Sequence, residues 1–144
     1  MNPVARKIMA AGNTAAAWLY RRSSGRIGGS AKGMPVLLLT VSGRRTGTPR
    51  TVPVAYFERG NGYLVAASAG GMKADPQWIH NLRAAGKAQV SVFGDEYDVE
   101  ARIADSAERE ELWQEVVLAQ APFFVGYEEK SGRTIPIALL TPPS

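Results

Sequence analysis

Three arginines lie within seven positions of one another in the segment SGRRTGTPR, residues 42–50. Threonine, glycine and proline lie between the adjacent pair Arg44-Arg45 and Arg50, and glycine and proline favour turns. Arginine stays protonated and presents a planar array of donors that fits a phosphate or carboxylate with two parallel hydrogen bonds. The cluster therefore predicts an oxyanion-binding turn, with a merely solvated turn tip as the alternative.

A second stretch, AASAGGMKADPQWIHNL, could receive a flat ring. Its small residues end a predicted strand and let a ring approach the backbone closely. A helix follows, with Asp75 as the expected N-cap and Pro76 at its first position. Trp78 and Asn81 are three residues apart and share one helix face, which offers a ring and an amide. Burial of Trp78 and its apolar neighbours in the core is the alternative.

The elements that must position these residues are short strands joined by turns. Apolar or alternating runs predict six strands, and two capped segments predict helices, one over 75–86 and one over 105–120. This composition favours a mainly β (α+β) protein, a small antiparallel barrel. The predicted strands comprise 35–41, 51–57, 63–68, two strands within 88–104 that meet at Gly94-Asp95, and 134–140.

Length and composition restrict the chemistry. The 144 residues are enough for one domain, which we divide into a helix and linker over 1–30 and a barrel over 34–144. The chain has no cysteine and a single histidine, His80. Thiolate catalysis is excluded, and no metal site is expected. The sequence also contains neither a P-loop nor a serine nucleophile elbow.

Charge is distributed unevenly along the chain. Residues 1–50 contain nine Lys or Arg and no acid, whereas the remainder carries eight bases against thirteen acids. The basic half indicates an anionic partner: a nucleic acid, a membrane surface or a phosphorylated small molecule. Residues 4–22 predict a basic amphipathic helix with Trp18 and Tyr20, which fits either an anionic membrane surface or packing against protein.

Taken together, these stretches resemble the deazaflavin-dependent nitroreductase family, whose members use coenzyme F-420 (8-hydroxy-5-deazaflavin) on a split β-barrel related to the flavin-mononucleotide-binding barrels. The similarity runs through WLYRRSSG, LLLTVSGRRTGTPRTVPVAYF, LVAASAGGMKADPQWIHNL and SGRTIPIALL, and so covers nearly the whole chain.

The resemblance implies roles for individual residues. The coenzyme's phosphate and acidic tail would be held by Arg44, Arg45, Thr46, Gly47 and Arg50. The deazaflavin ring would be lined by Pro53, Ala66, Ser68, Gly70, Gly71, Trp78 and Asn81. Tyr127 corresponds to a tyrosine over the substrate pocket and would act catalytically, with Ser68 as a second candidate proton source.

The chain also departs from the family pattern. Ala69 occupies the position of a common lysine, so that one phosphate contact is missing or passes to Lys73. Ala55, Ala121 and Phe124 replace tyrosines of some members, which predicts a less polar substrate pocket.

The predicted activity is hydride transfer from reduced coenzyme F-420 to a quinone-like or nitroaromatic acceptor. The expected location is the cytoplasm, with peripheral contact to the inner face of the cell membrane, and a homodimer is an open possibility. Two alternatives remain at this point: an oxidoreductase that uses flavin mononucleotide, and a non-enzymatic barrel that binds nucleic acid through its basic half.

Overall fold

The computed structural model describes residues 30–31 and 33–143. The predicted helix over 4–22 and nearly all of the linker after it lie outside these residues, so the proposed division at residue 30 stays a prediction. Within the described part, every strand belongs to one antiparallel sheet. The strands are β1 (Ser30–Ala31), β2 (Met34–Ser42), β3 (Pro49–Ala55), β4 (Phe57–Arg59), β5 (Gly62–Ala66), β6 (Lys87–Val92), β7 (Asp95–Ile103) and β8 (Ile137–Thr141).

The strand order is β1-β2-β6-β7-β8-β5-β4, and β3 pairs with β2 outside this path. Strand β2 is central because it pairs with β1, β3 and β6. It reads MPVLLLTVS and is buried along most of its length. A continuous apolar strand of this kind is expected where both faces of a sheet are covered. The mainly β, split-barrel architecture agrees with the sequence prediction.

Side chains on the two faces of the sheet enter two separate cores. Along β8, Ile137 and Leu139 belong to one cluster, whereas Ala138 and Leu140 belong to the other. This division follows from the two-residue alternation of a strand. The first cluster also contains Phe57, Trp113 and Phe124, and the second contains residues of the helix over 77–85. The sheet thus has a helical layer on each side.

Within residues 33–143, four α-helical segments accompany the sheet: α1 (Gln77–Ala85), α2 (Ser106–Leu112), α3 (Leu118–Gln120) and α4 (Phe124–Ser131). A π-helical turn, Trp113–Val117, joins α2 to α3, so the predicted helix over 105–120 is present with a local widening. The Asp105 side chain caps α2 by accepting a hydrogen bond from the backbone N–H of Glu108 at 2.9 Å.

Two details of the helices differ from the prediction. Helix α1 begins one residue later than expected, with Pro76 at the N-cap, and Asp75 does not cap it. The Asp75 carboxylate instead accepts a hydrogen bond from Arg133 at 2.6 Å. The C-terminal end of α1 was predicted correctly, because Gly86 adopts φ 67°, a left-handed conformation that suits glycine.

Helix α4 was missed at the sequence level. Its first residues are Phe124, Val125 and Gly126, which are weak helix formers. The ring of Phe124 packs against Phe57 at 5.8 Å and against Trp113 at 6.3 Å between centroids. Tertiary contacts of this kind stabilise a helix that local propensity does not favour.

An ion pair joins the sheet to α2. Arg102 on β7 donates two hydrogen bonds to the Glu108 carboxylate, at 2.5 and 2.8 Å. The hydrogen bonds from Arg102 hold the pKa of Glu108 below its usual range.

No helix among the described residues is both long enough and apolar enough to cross a membrane.

Candidate functional site

The arginine turn joins β2 to β3. Its backbone closes on itself, because the Gly43 N–H donates to Thr48 O at 2.9 Å and the Gly47 N–H donates to Gly43 O at 2.8 Å. The Thr46 hydroxyl accepts from the Thr48 N–H at 3.2 Å. Gly47 has φ 74°, where a side chain is strained. The turn is therefore rigid although residues 44–50 are exposed.

Arg44 fastens this turn to helix α1. Its backbone N–H and its Nη1 both donate to Asn81 Oδ1, at 3.1 and 2.8 Å. Its Nη2 donates to Gln77 Oε1 at 2.9 Å. Asn81 is only 5% exposed, and its amide oxygen is directed at the turn. Asn81, predicted to line the deazaflavin ring, thus contacts the arginine turn, and its role toward the ring stays a prediction.

Arg45 and Arg50 are exposed, and neither side chain forms a hydrogen bond or ion pair with residues 30–31 or 33–143. Their donors are consequently available to an anion. Arg50 lies in β3, opposite Val41 of β2, so its backbone is held by the sheet. A fixed backbone that presents a guanidinium to solvent reduces the entropy lost on anion binding.

A pocket of about 200 Å³ opens beside the turn. Four elements that are distant in sequence form its walls: β3, the end of β5 with the loop after it, the start of α1 and the start of α4. Five of the seven predicted ring-lining residues are among its lining residues, and Gly71 and Asn81 are not. The lining residues are Pro53, Val54, Ala55, Ala66, Ser68, Ala69, Gly70, Trp78 and Phe124.

The loop after β5 has an unusual backbone. Ala69, Gly70 and Gly71 have φ values of 48°, 64° and 85°, so three successive residues are in the left-handed region. For alanine this conformation costs about 1–2 kcal/mol. Gly71 is buried against Lys130, whose Cδ would lie 2.9 Å from an added Cβ. The segment thus keeps side chains away from the pocket wall at Gly70.

Tyr127 lies on α4 within a group of aromatic rings. Its ring contacts Phe123 at 5.9 Å and Phe124 at 5.2 Å between centroids, both edge to face. It is partly buried and is not a lining residue of the pocket, but its neighbour Phe124 is. Tyr127 is therefore one aromatic ring removed from the pocket wall.

Three residues of the site were missed at the sequence level. Gln77 contacts Arg44, as described above. Lys130 reaches the loop from α4, with Nζ 3.4 Å from Gly70 O. Arg133, the third missed residue, contacts the same loop at several points. Lys73, the predicted substitute for the lysine that Ala69 replaces, is exposed. Only tertiary packing brings Lys130 and Arg133 to a loop some sixty positions earlier, so no local pattern could have identified them.

A model of the F420H(2)-dependent quinone reductase family matches residues 14–142. The chain belongs to this family. It is 35% identical over 126 residues to an F420H(2)-dependent quinone reductase of Mycobacterium tuberculosis, with 85% of each protein covered.

Solved structures agree with this assignment. The structure of an F420-H2 dependent reductase, FDR-A, superposes with a TM-score of 0.65 at 30% identity, over 74% of this chain and 93% of that one. A structure described as a domain-swapped dimer has a TM-score of 0.65 at 28% identity and covers 88% of this chain and 98% of its own.

These matches confirm the resemblance stated from the sequence and the split-barrel fold. The chain is an oxidoreductase of the deazaflavin-dependent class, and coenzyme F-420 is the cofactor of its family. The family assignment favours this cofactor over flavin mononucleotide, and an enzyme over a nucleic-acid-binding barrel. The roles of individual site residues stay predictions.

Proposed function

We propose that this protein transfers a hydride from reduced coenzyme F-420 to a quinone, using the arginine turn and the adjacent pocket as one continuous coenzyme site. The observation that carries the proposal is the path of β3. This strand begins at the turn, carries Arg50, and then supplies Pro53, Val54 and Ala55 to the pocket wall. Because a strand rises about 3.4 Å per residue, Arg50 and Pro53 are about 10 Å apart along it.

The turn fits the anionic part of the coenzyme. Arg45 and Arg50 offer charged donors, and Thr46 and Gly47 offer a hydroxyl and exposed backbone between them. Arg44 supports the turn through its contacts with Asn81 and Gln77. We therefore assign contact with phosphate or carboxylate groups to Arg45 and Arg50, and positioning of the turn to Arg44 and Asn81.

The pocket fits the ring part. Complete binding sites for small molecules commonly enclose about 300–1,000 Å³. A pocket of about 200 Å³ suits a ligand that inserts only its ring system and leaves its charged tail on the exposed turn. Trp78 provides an aromatic wall, and Ala66, Ser68 and Gly70 allow close approach to the backbone.

The acceptor side is assigned to α4. When bound, the coenzyme supplies the hydride, and the protein supplies orientation and charge. The Tyr127 hydroxyl is proposed to stabilise negative charge on an acceptor oxygen or to deliver a proton to it, and Ser68 is the second candidate donor. Phe124 and Ala55 make this wall apolar, which favours a quinone over a more polar nitroaromatic compound.

Two further features of the proposal concern partners. The basic segment over 4–22 is proposed to contact anionic lipid at the inner face of the membrane, where apolar quinones dissolve. This part of the proposal is supported by the sequence alone.

A homodimer is proposed because a structural neighbour is described as a domain-swapped dimer. Light scattering coupled to size-exclusion chromatography measures the molar mass that tests it.

A parallel titration tests the proposed cofactor. The purified protein is titrated with oxidised coenzyme F-420, with flavin mononucleotide and with a single-stranded oligonucleotide, and fluorescence is followed. We expect micromolar or tighter affinity for coenzyme F-420 and weaker binding of the other two. Equal or tighter binding of flavin mononucleotide or of the oligonucleotide contradicts the proposal.

A second experiment compares the two acceptor classes. Turnover is measured with menadione and with a nitroimidazole, and a preference for the nitroimidazole contradicts the quinone assignment.

A further inference from the structure

Arg133 contacts four groups of the segment 67–75, whose first residues form part of the pocket wall. Its Nη2 donates to the carbonyl oxygens of Ala67 and Ser68, at 2.9 and 3.1 Å. Its Nε donates to Met72 O at 3.0 Å, and its Nη1 donates to Asp75 Oδ1 at 2.6 Å. One planar guanidinium therefore holds both ends of the loop.

We propose that Arg133 is a positioning residue that holds this loop in the shape required by the coenzyme ring. The inference rests on the proposed function, since it concerns the same pocket. Arg133 is not a lining residue of the pocket, and three of its four contacts are backbone carbonyls. It acts through the loop and is assigned no contact with the coenzyme.

The loop needs an external support because its own conformation is unfavourable. Ala69 lies between two segments that Arg133 binds, and it has a positive φ. Strained residues persist where surrounding contacts determine the backbone. Within the loop, only the bonds from Gly71 N–H to Ser68 O and from Met72 N–H to Ala69 O close the turn. Arg133 provides four contacts that connect this segment to the rest of the protein, and Lys130 adds one, from its Nζ to Gly70 O at 3.4 Å.

Charge compensation supports the same interpretation. The Arg133 side chain is 14% exposed and the Asp75 side chain 26% exposed, so the pair is largely removed from water. Asp75 is used for this pair instead of capping α1, which begins two residues later. Removing one partner leaves the other charge partly buried without compensation, a costly state. The pair thus connects the loop to the start of the helix that carries Trp78.

The test compares Arg133→Gln and Arg133→Lys with the parent protein and with a matched control, Arg102→Gln. Arg102 also forms an ion pair, but with Glu108, and neither of these residues lines the pocket. Lysine keeps the charge but cannot reproduce four directed hydrogen bonds. Two quantities are measured: the dissociation constant for oxidised coenzyme F-420, and the hydrogen-exchange rates of the Gly71 and Met72 amides in coenzyme-free protein.

We expect Arg133→Gln to raise the dissociation constant by about 10-fold to 100-fold, the loss expected for one or two charge-assisted hydrogen bonds. The two amides should exchange at least about 10-fold faster, because their loop opens more often. In turnover assays the KM for the coenzyme should rise while kcat at saturation changes little. Arg133→Lys should give intermediate values, and Arg102→Gln should match the parent.

Two outcomes for Arg133→Gln overturn the inference. Unchanged affinity in Arg133→Gln shows that the loop does not need this residue. Reduced affinity with unchanged amide exchange shows direct contact with the coenzyme. If Arg133→Gln fails to fold, Arg133→Lys and Asp75→Asn are measured in its place, and parental values in both refute the proposal. Failure of the parent to bind coenzyme F-420 refutes the proposed function instead, and the exchange measurement still reports on the loop.

Discussion

Arg50 is the residue at which the proposed anion contact can be tested most directly. It is exposed, it has no partner among the described residues, and its backbone is fixed in β3. Replacing Arg50 with alanine should weaken coenzyme F-420 binding by about 1.5–3 kcal/mol, the value of a charge-assisted hydrogen bond. The loss should shrink as salt is added, because screening weakens exposed charges.

Fluorescence titration at two ionic strengths measures this effect. Arg83→Ala is the matched control, because Arg83 is also an exposed arginine but lies in the last turn of α1. If Arg50→Ala and Arg83→Ala both bind coenzyme F-420 with the affinity of the parent, the turn is only a solvated loop tip.

Tyr127 is the residue at which the proposed acceptor chemistry can be tested. Phenylalanine keeps the ring contacts with Phe123 and Phe124 but removes the hydroxyl. If the hydroxyl acts mainly in the transition state, kcat and kcat/KM should fall together by about 10-fold to 1,000-fold. Coenzyme affinity should be nearly unchanged.

Steady-state kinetics with menadione provide the measurement. Tyr97→Phe is the control, since Tyr97 is exposed on the β6–β7 hairpin. An unchanged kcat in Tyr127→Phe would remove this hydroxyl from the mechanism and leave Ser68 or water as the proton source.

At the scale of elements, two glycines test how closely the sheet and α4 are packed. A Cβ on Gly62 would lie 2.3 Å from Leu140 O, so the β5–β8 pair has no room for it. Gly126 lies within α4, and an added Cβ there meets nothing within 4 Å. Gly62→Ala should therefore destabilise the fold by about 1–3 kcal/mol or more. Gly126→Ala should stabilise it by about 0.5–1 kcal/mol.

Urea denaturation of both variants checks these opposite signs under identical conditions. Each glycine serves as the control for the other, because the chemical change is the same. A stabilising Gly62→Ala would mean that β5 and β8 are further apart than the structure places them. A destabilising Gly126→Ala would mean that α4 is not helical at its first turn.

At the scale of the whole molecule, the basic N-terminal segment should confer weak lipid association. Each Lys or Arg near an anionic surface contributes about 1 kcal/mol, and salt screens this attraction. Deleting residues 1–22 should abolish sedimentation with vesicles that contain anionic lipid at low salt. Vesicles of neutral lipid are the control. If both forms of the protein sediment equally, the segment packs against protein instead.

Much of the fold was determined by the sequence through short-range physics. The alternation of apolar residues, the capping by Asp105 and the left-handed Gly86 each act within a few positions, so they could be identified locally. The arginine turn was predicted in the same way, because Gly47 and the flanking strands define it. Together with the family resemblance, these features were sufficient to identify the class of enzyme.

The tertiary structure decided which of these residues meet. Asp75 has the sequence context of a helix cap, but a partly buried guanidinium 58 positions away competes for its carboxylate. Asn81 has the spacing of a pocket residue, but it accepts two hydrogen bonds from Arg44, 37 positions away. Helix α4 forms on residues of weak helix propensity because its rings pack on Phe57 and Trp113. In each case a contact between distant segments outweighed a local preference worth about 1 kcal/mol, and no pattern within a few residues records such a contact.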